Sequence, residues 1–398
     1  MRRWRIFVLG FMVPLLLVTG GIFQSPMKVS AQVRDYWPTD DWITTTPEEQ
    51  GVNSSRLEEA ASFIEDSGAR VRSMLVVHNG YLVFEQYFMP QLYDQDDTHI
   101  IYSCTKSVTS SLIGIAIDEG YITSTGQAIL DFFPDLYIDN LDPRKESITL
   151  ENVLTMTSGL EWDEESYDDF NDYYGMINSG NWVQYVLNKT VVRDPGTYFY
   201  YNTGGSHLLS AIINITTGMT TLEFAVEHLF NPLGIDTYSW IQDPQGIHNG
   251  GSSLALRPRD MAKFGYLFLN NGEWDGEQIV PSNWVTTSSD SHVTIYGGTF
   301  SYGYQWWINE PGGYYCARGY QGQLIFVVPD EDLIVVFTSD MDDIVISTDA
   351  ILSTYVIPAV QDNIPITGPD LIPAILVSSG IIGTAIVAVL VIYVWKKR

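Results

Sequence analysis

The sequence predicts a mixed α/β (α+β) domain: an antiparallel sheet built by both termini, flanked by terminal helices, around a mostly helical central region. An early hairpin signal, a late group of strands and the long helical stretch between them lead to that reading. Met74-Leu75-Val76-Val77-His78 and Tyr81-Leu82-Val83-Phe84 are apolar runs joined by Asn79-Gly80. Asn-Gly between such runs is the strongest short hairpin cue. Strand patterns return at residues 302–307, 314–318, 324–328 and 333–338, with Pro329-Asp330-Glu331-Asp332 as a turn between the last two.

The remaining elements follow in order. Residues 54–66 form an amphipathic helix with Leu57, Ala60, Ala61, Phe63 and Ile64 on its apolar side. Residues 107–117 are apolar on most sides, as a buried helix is, and Asp118-Glu119-Gly120 ends it. Arg259-Asp260-Met261-Ala262-Lys263-Phe264 sits within another helix, and a last one runs from about 345 to 360. A site in this architecture is expected where the sheet meets the helical region.

Both ends of the chain carry membrane signals. Met1-Arg2-Arg3-Trp4-Arg5 leads into an apolar run, and Val29-Ser30-Ala31 offers small residues for cleavage, so residues 1–31 read as a signal peptide. An uncleaved anchor fits the same pattern. The expected folded domain spans 32–362, followed by a Pro-containing linker at 363–370. Residues 371–395 carry no charge and are long enough to cross about 30 Å of hydrocarbon. Lys396-Lys397-Arg398 would remain on the cytoplasmic side as a short tail, leaving the domain outside the cytoplasm at the cell membrane.

A net charge of −28, from 48 acidic against 20 basic residues, argues against nucleic acid as a partner. The acidic surface suits high salt, cation binding or plain solubility. Six scattered histidines with no His-Glu-x-x-His give no metal site, and no cofactor fingerprint occurs. Two cysteines, Cys104 and Cys316, are expected as small buried thiols, although one bridge would suit an exported protein.

The chemistry centres on Ser103-Cys104-Thr105-Lys106. Residues three apart share a helix face, so Lys106 would stand beside Ser103. A desolvated amine near a helix N-terminus loses its proton more readily and could take that of the serine. The spacing alone favours a helix cap with a surface lysine, and Ser25-Pro26-Met27-Lys28 repeats it by chance. Tyr200 and Asn202 follow Pro195-Gly196 as Tyr-x-Asn: a phenol to move protons and an amide to hold a carbonyl. A glycine-rich strand end, Ala317-Arg318-Gly319-Tyr320, could lend a backbone N–H to an oxyanion hole. Leu154-Thr155-Met156-Thr157-Ser158-Gly159-Leu160 is a further glycine turn in the same set.

In this order the segments resemble the serine β-lactamase-like hydrolases: class C β-lactamases, D,D-peptidases (penicillin-binding proteins) and related esterases and amidases. The likeness covers residues 45 to 360 and includes Gly303-Tyr304-Gln305-Trp306-Trp307 and the Gly322-Gln323 strand entry. It implies Ser103 as the acylated nucleophile, Lys106 as base or relay, and Tyr200 as a second proton-transfer group. It further implies that Asn202 binds the substrate amide and that Ser103 and Tyr320, beside Gly319, supply the oxyanion N–H groups. The family usually places a Lys or His, a small residue and Gly at the last strand; this chain has Ala317-Arg318-Gly319. The missing cation favours a small ester or amide substrate over β-lactams and D,D-peptides. A true β-lactamase or D,D-peptidase, or an inactive surface binding or sensor protein on the same fold, stays open at this level.

Overall fold

The computed structural model describes residues 34–164, 171–295, 297–341 and 345–362. The expected signal peptide, linker, membrane segment and tail lie outside these, as does part of the acidic loop at 165–170. Eight strands form the main sheet: β1 (Val71–His78), β2 (Tyr81–Tyr87), β3 (Val293–Thr294), β4 (Ser301–Tyr302), β5 (Trp307–Asn309), β6 (Tyr314–Gly319), β7 (Gln323–Val328) and β8 (Leu333–Ser339). Their spatial order is β2-β1-β8-β7-β6-β5-β4-β3, with antiparallel pairing throughout. The first hairpin is therefore clamped beside the last strand of the domain, as the two-ended pattern predicts.

The hairpin turn forms because Asn79 and Gly80 both take positive φ, at 52° and 85°. Two consecutive left-handed residues match the twist of the flanking strands. Helix α1 (Ser54–Ser67) begins where the Asn53 side chain accepts the Ser55 N–H, and it buries Leu57, Ala60 and Ile64. These residues pack with Ile351, Leu352, Val356 and Ala359 of the terminal helical run on one face of the sheet. Along β7 and β8 the alternation divides the sheet's two sides: Leu324, Phe326, Val335 and Phe337 face those helices, whereas Ile325, Val327, Ile334 and Val336 join the second core. That second core holds helices α2 (Thr105–Asp118), α3 (Thr203–Thr217) and α4 (Pro258–Leu269).

Two elements differ from expectation. Residues 302–307 are not one strand: β4 ends at Tyr302, β5 begins at Trp307, and Gln305 turns the chain between them with φ 66°. The Gln305 N–H bonds Leu154 O, so this turn is tied to the helical region instead of to a neighbouring strand. The last helix runs over 348–361 and widens at Leu352–Val356, where Ile357 N–H reaches Leu352 O. Pro358 follows at once, and its missing N–H interrupts the ordinary ladder there.

Candidate active site

The serine is delivered by a short segment held at both ends. Ile101 N–H bonds Leu254 O at 2.8 Å, continuing a small sheet made by His99–Ile100, Leu254–Leu256 and Tyr238–Trp240. A single turn, Tyr102–Cys104, then leads into α2. Tyr102 takes φ 44°, a conformation uncommon outside glycine and concentrated at functional sites. The end of β6 presses on this turn from the sheet side. A Cβ on Gly319 would stand 2.3 Å from Ile101 O, so only glycine allows the strand end to come this close. The close approach sets Tyr320, 58% exposed, edge-on to Tyr102 with ring centroids 5.6 Å apart, while Tyr102 donates to Gln321 Oε1 at 3.0 Å.

Lys106 occupies the first turn of α2 and is 1% exposed. Its Nζ lies 3.0 Å from Ser103 Oγ, 2.9 Å from Thr203 Oγ1 and 2.8 Å from Gly251 O. Three acceptors satisfy an ammonium completely, yet none of them is a carboxylate. Burial therefore dominates and pushes the amine down to about 8, partly offset by the negative charge of Glu164 and then by Cys104. A measurable fraction of the amine is neutral at ordinary pH.

The phenol set against this pair belongs to Tyr201. Its hydroxyl is within hydrogen-bonding reach of Ser103, and Lys106 Nζ stands 4.8 Å from its ring centroid. Although the residue keeps some exposure, its hydroxyl is desolvated, and burial and Glu164 push its pKa up. It is a neutral phenol, suited to donating a proton. Tyr200 is 41% exposed, and its ring neighbours Tyr198 at 6.4 Å. The geometry thus moves the tyrosine motif by one residue, to Tyr201-Asn202-Thr203, with the Thr203 hydroxyl on the lysine.

Asn202 explains the shift. It is the N-cap of α3, and its Oδ1 accepts the Gly205 N–H at 2.8 Å. Its Nδ2 is buried and without a hydrogen-bond partner. An amide spent on a cap points along the helix, which leaves its two neighbours to face the serine. The turn at 154–160 supports this segment: Met156 O accepts Tyr200 N–H, Thr157 O accepts Gly196 N–H, and Met156 Sδ lies 3.3 Å from Asn202 N. Gln305 joins the two helices of the site, since Ser107 donates to its backbone oxygen and Ser206 to its side chain, both at 2.7 Å.

Reading the sequence missed Tyr201, Thr203, Glu164 and Gly251. Asn-Thr-Gly-Gly before an apolar run is a helix start, a signal that would have marked Asn202 as a cap. Gly250-Gly251 lies against α3: a Cβ on Gly251 would meet Thr203 Cγ2 at 2.6 Å, and only that contact lets its carbonyl reach the lysine. Ala317 is buried on the α2 side of the sheet, whereas Arg318 projects to the opposite side. There Arg318 pairs with Asp349 and lies 4.7 Å over the Phe300 ring, as strand alternation predicts. Both cysteines are buried and unbridged; the Cys104 Sγ–H donates to Gln323 O at 3.3 Å, and burial pushes both thiols up. Among the described residues, no group of His, Cys, Asp and Glu could hold a metal ion.

Comparisons with known proteins place the fold and the family. The Beta-lactamase family profile matches residues 59–343. A 6-aminohexanoate-dimer hydrolase of Paenarthrobacter ureafaciens is 27% identical over 330 residues, covering 75% of this chain and 80% of that protein. A penicillin-binding protein homologue of Caulobacter crescentus superposes with a TM-score of 0.61 at 15% identity, covering 80% of this chain and all of that one (100%). A family VIII carboxylesterase gives 0.60 at 14% identity, covering 80% and 98%. The two structures share the fold. The family match spans most of the domain, so this chain belongs to the beta-lactamase family and is a serine hydrolase of that family.

Proposed function

We propose that the protein cleaves a small ester or amide through an acyl-enzyme on Ser103, with Lys106 and Tyr201 moving the protons. The observation that carries this reading is the Lys106 amine, buried, lacking a carboxylate partner, and 3.0 Å from Ser103 Oγ. Neutral Lys106 accepts the Ser103 proton as Oγ bonds to the substrate carbonyl carbon. The carbonyl oxygen becomes an oxyanion, for which the backbone N–H groups of Ser103 and Tyr320 are the candidate donors. Collapse expels the alcohol or amine, which takes a proton from Lys106, directly or by way of Tyr201. Water then enters by the reverse proton path and releases the acid.

Substrate class follows from the strand edge. With Ala317 where a cation would stand and Arg318 paired on the other side, the site lacks the grip on a carboxylate that β-lactam and D,D-peptide substrates offer. That favours esters and simple amides, and the Paenarthrobacter relative, named a 6-aminohexanoate-dimer hydrolase, is in keeping with an amide. The composition of residues 1–31 and 371–398 supports a domain held outside the cytoplasm by a C-terminal membrane helix.

A fluorophosphonate probe tests the reading. Covalent labelling is expected in the wild type and lost in Ser103→Ala; folded wild type that takes no label overturns it. Short-chain p-nitrophenyl esters, amino-acid amides and a chromogenic cephalosporin, run side by side, rank the substrate classes. Turnover should rise about tenfold per pH unit below pH 8 and level above it, because Lys106 must be neutral to accept the proton.

A further inference from the structure

We infer that Glu164 is a positioning residue of this site: through Thr203 it aims the lone pair of the Lys106 amine at Ser103. The inference rests on the hydrolase reading for its catalytic consequence only. Glu164 lies in the loop after residue 160, outside every motif that the family resemblance picks out. Its Oε1 accepts the Thr203 hydroxyl at 2.7 Å, and its Oε2 accepts Thr203 N–H at 2.9 Å and Trp162 Nε1–H at 2.5 Å.

The argument is one of donors and acceptors. An ionised carboxylate only accepts, so the single hydroxyl proton of Thr203 is committed to Glu164. Thr203 Oγ1 can then offer Lys106 nothing but a lone pair, at 2.9 Å. Gly251 O, at 2.8 Å, is likewise acceptor-only. A neutral amine has two protons and one lone pair. With both protons taken by Thr203 and Gly251, the lone pair is left for Ser103, the remaining neighbour at 3.0 Å. Remove the carboxylate, and Thr203 can turn its proton toward the amine and compete with the serine.

Glu164 also acts through its charge. It stands two hydrogen bonds from Nζ, of 2.9 and 2.7 Å through Thr203 Oγ1, and a negative charge that near favours the ammonium. The titratable groups facing Lys106 are Cys104 on its own segment, Tyr201 from the approach to α3, and Glu164. The carboxylate faces, in addition, Tyr173 from the helix Asp172–Ile177 and Tyr302 from β4. The neighbours other than Glu164 are one thiol and three phenols held neutral by burial, so Glu164 is the charge that sets the balance.

The test is the titration of Lys106 Nζ, read by ¹⁵N NMR in wild type, Glu164→Gln and Glu164→Asp, beside the pH dependence of the fluorophosphonate labelling rate. In Glu164→Gln the midpoint should fall by about one pH unit. The plateau labelling rate should drop at least about tenfold with little change in probe binding. Glu164→Asp keeps the charge and should hold the midpoint near that of wild type. Either of two results in folded Glu164→Gln overturns the inference: an unmoved midpoint, which means the carboxylate does not act on the amine, or a plateau labelling rate equal to wild type, which means it only caps α3. Should that variant not fold, Thr203→Val cuts the same chain from the other side: labelling as fast as in wild type overturns the inference, whereas a loss rescued by Thr203→Ser supports it. A wild type that takes no label counts against the hydrolase reading alone, since the NMR midpoint still decides the role of Glu164.

Discussion

Two buried lysines, one at the start of α2 and one inside α4, sit in the same second core and differ in everything that matters chemically. Lys263 donates to Thr39 O at 2.9 Å and Gly234 O at 3.1 Å and stands 3.7 Å from the Asp260 carboxylate. Lys106 donates to one carbonyl and two hydroxyls. Burial depresses both amines, but Asp260 opposes the change at Lys263 by direct contact, whereas Glu164 acts on Lys106 from behind a threonine. Carbonyls and a carboxylate in contact fix a proton where it is. Hydroxyls can pass it on. The α4 lysine ties the bend at Thr39 to the loop at Gly234, and the α2 lysine is the one that the proposed mechanism uses as a reagent.

Methionine at each position breaks the comparison most sharply, because it keeps the apolar stem and deletes the charge. Lys106→Met should cost about 10³-fold in turnover per folded molecule. Lys263→Met should leave turnover per folded molecule unchanged and lower stability by about 2–4 kcal/mol, since two carbonyls and a buried carboxylate lose a partner. Activity assays and thermal melts on both proteins measure this; equal effects on turnover would erase the distinction. The adjacent tyrosines give the next largest contrast. Tyr201→Phe should lose about 10²-fold in turnover, while Tyr200→Phe stays within about threefold of wild type. The reverse order would restore the register read from the sequence. The smallest effect concerns the cap: Asn202→Ala should lower stability by about 1 kcal/mol, and Asn202→Ser, which can cap as well, should recover most of it with unchanged KM. A KM that rises in folded Asn202→Ser would give the amide a substrate-binding role instead.

The fold was legible because its strongest signals are local. Asn79-Gly80 dictates its turn wherever it stands, and alternation in β7 and β8 assigns each side chain to a face without knowledge of what covers it. The pairing of Ser103 with Lys106 was legible for the same reason, being a matter of one helical turn. Tyr201 and Thr203 were not, because choosing between Tyr200 and Tyr201 requires knowing that Asn202 is committed to the start of α3. Glu164 and Gly251 are brought to the lysine only by tertiary packing, and no spacing along the chain announces them. The turn at Gln305 hid for a related reason: its apolar neighbours read as a strand, while a bond to Leu154 O, 151 residues away, bends it.

Cys104, next to the serine, has a consequence of its own. A sulfur one residue from a reactive hydroxyl would ordinarily compete for the same electrophiles and be the first atom lost to peroxide. Here it is sealed in the interior, tethered to the Gln323 carbonyl and kept from ionising. Iodoacetamide and maleimides should therefore spare the native protein, and dilute peroxide should leave both thiols unmodified until it unfolds.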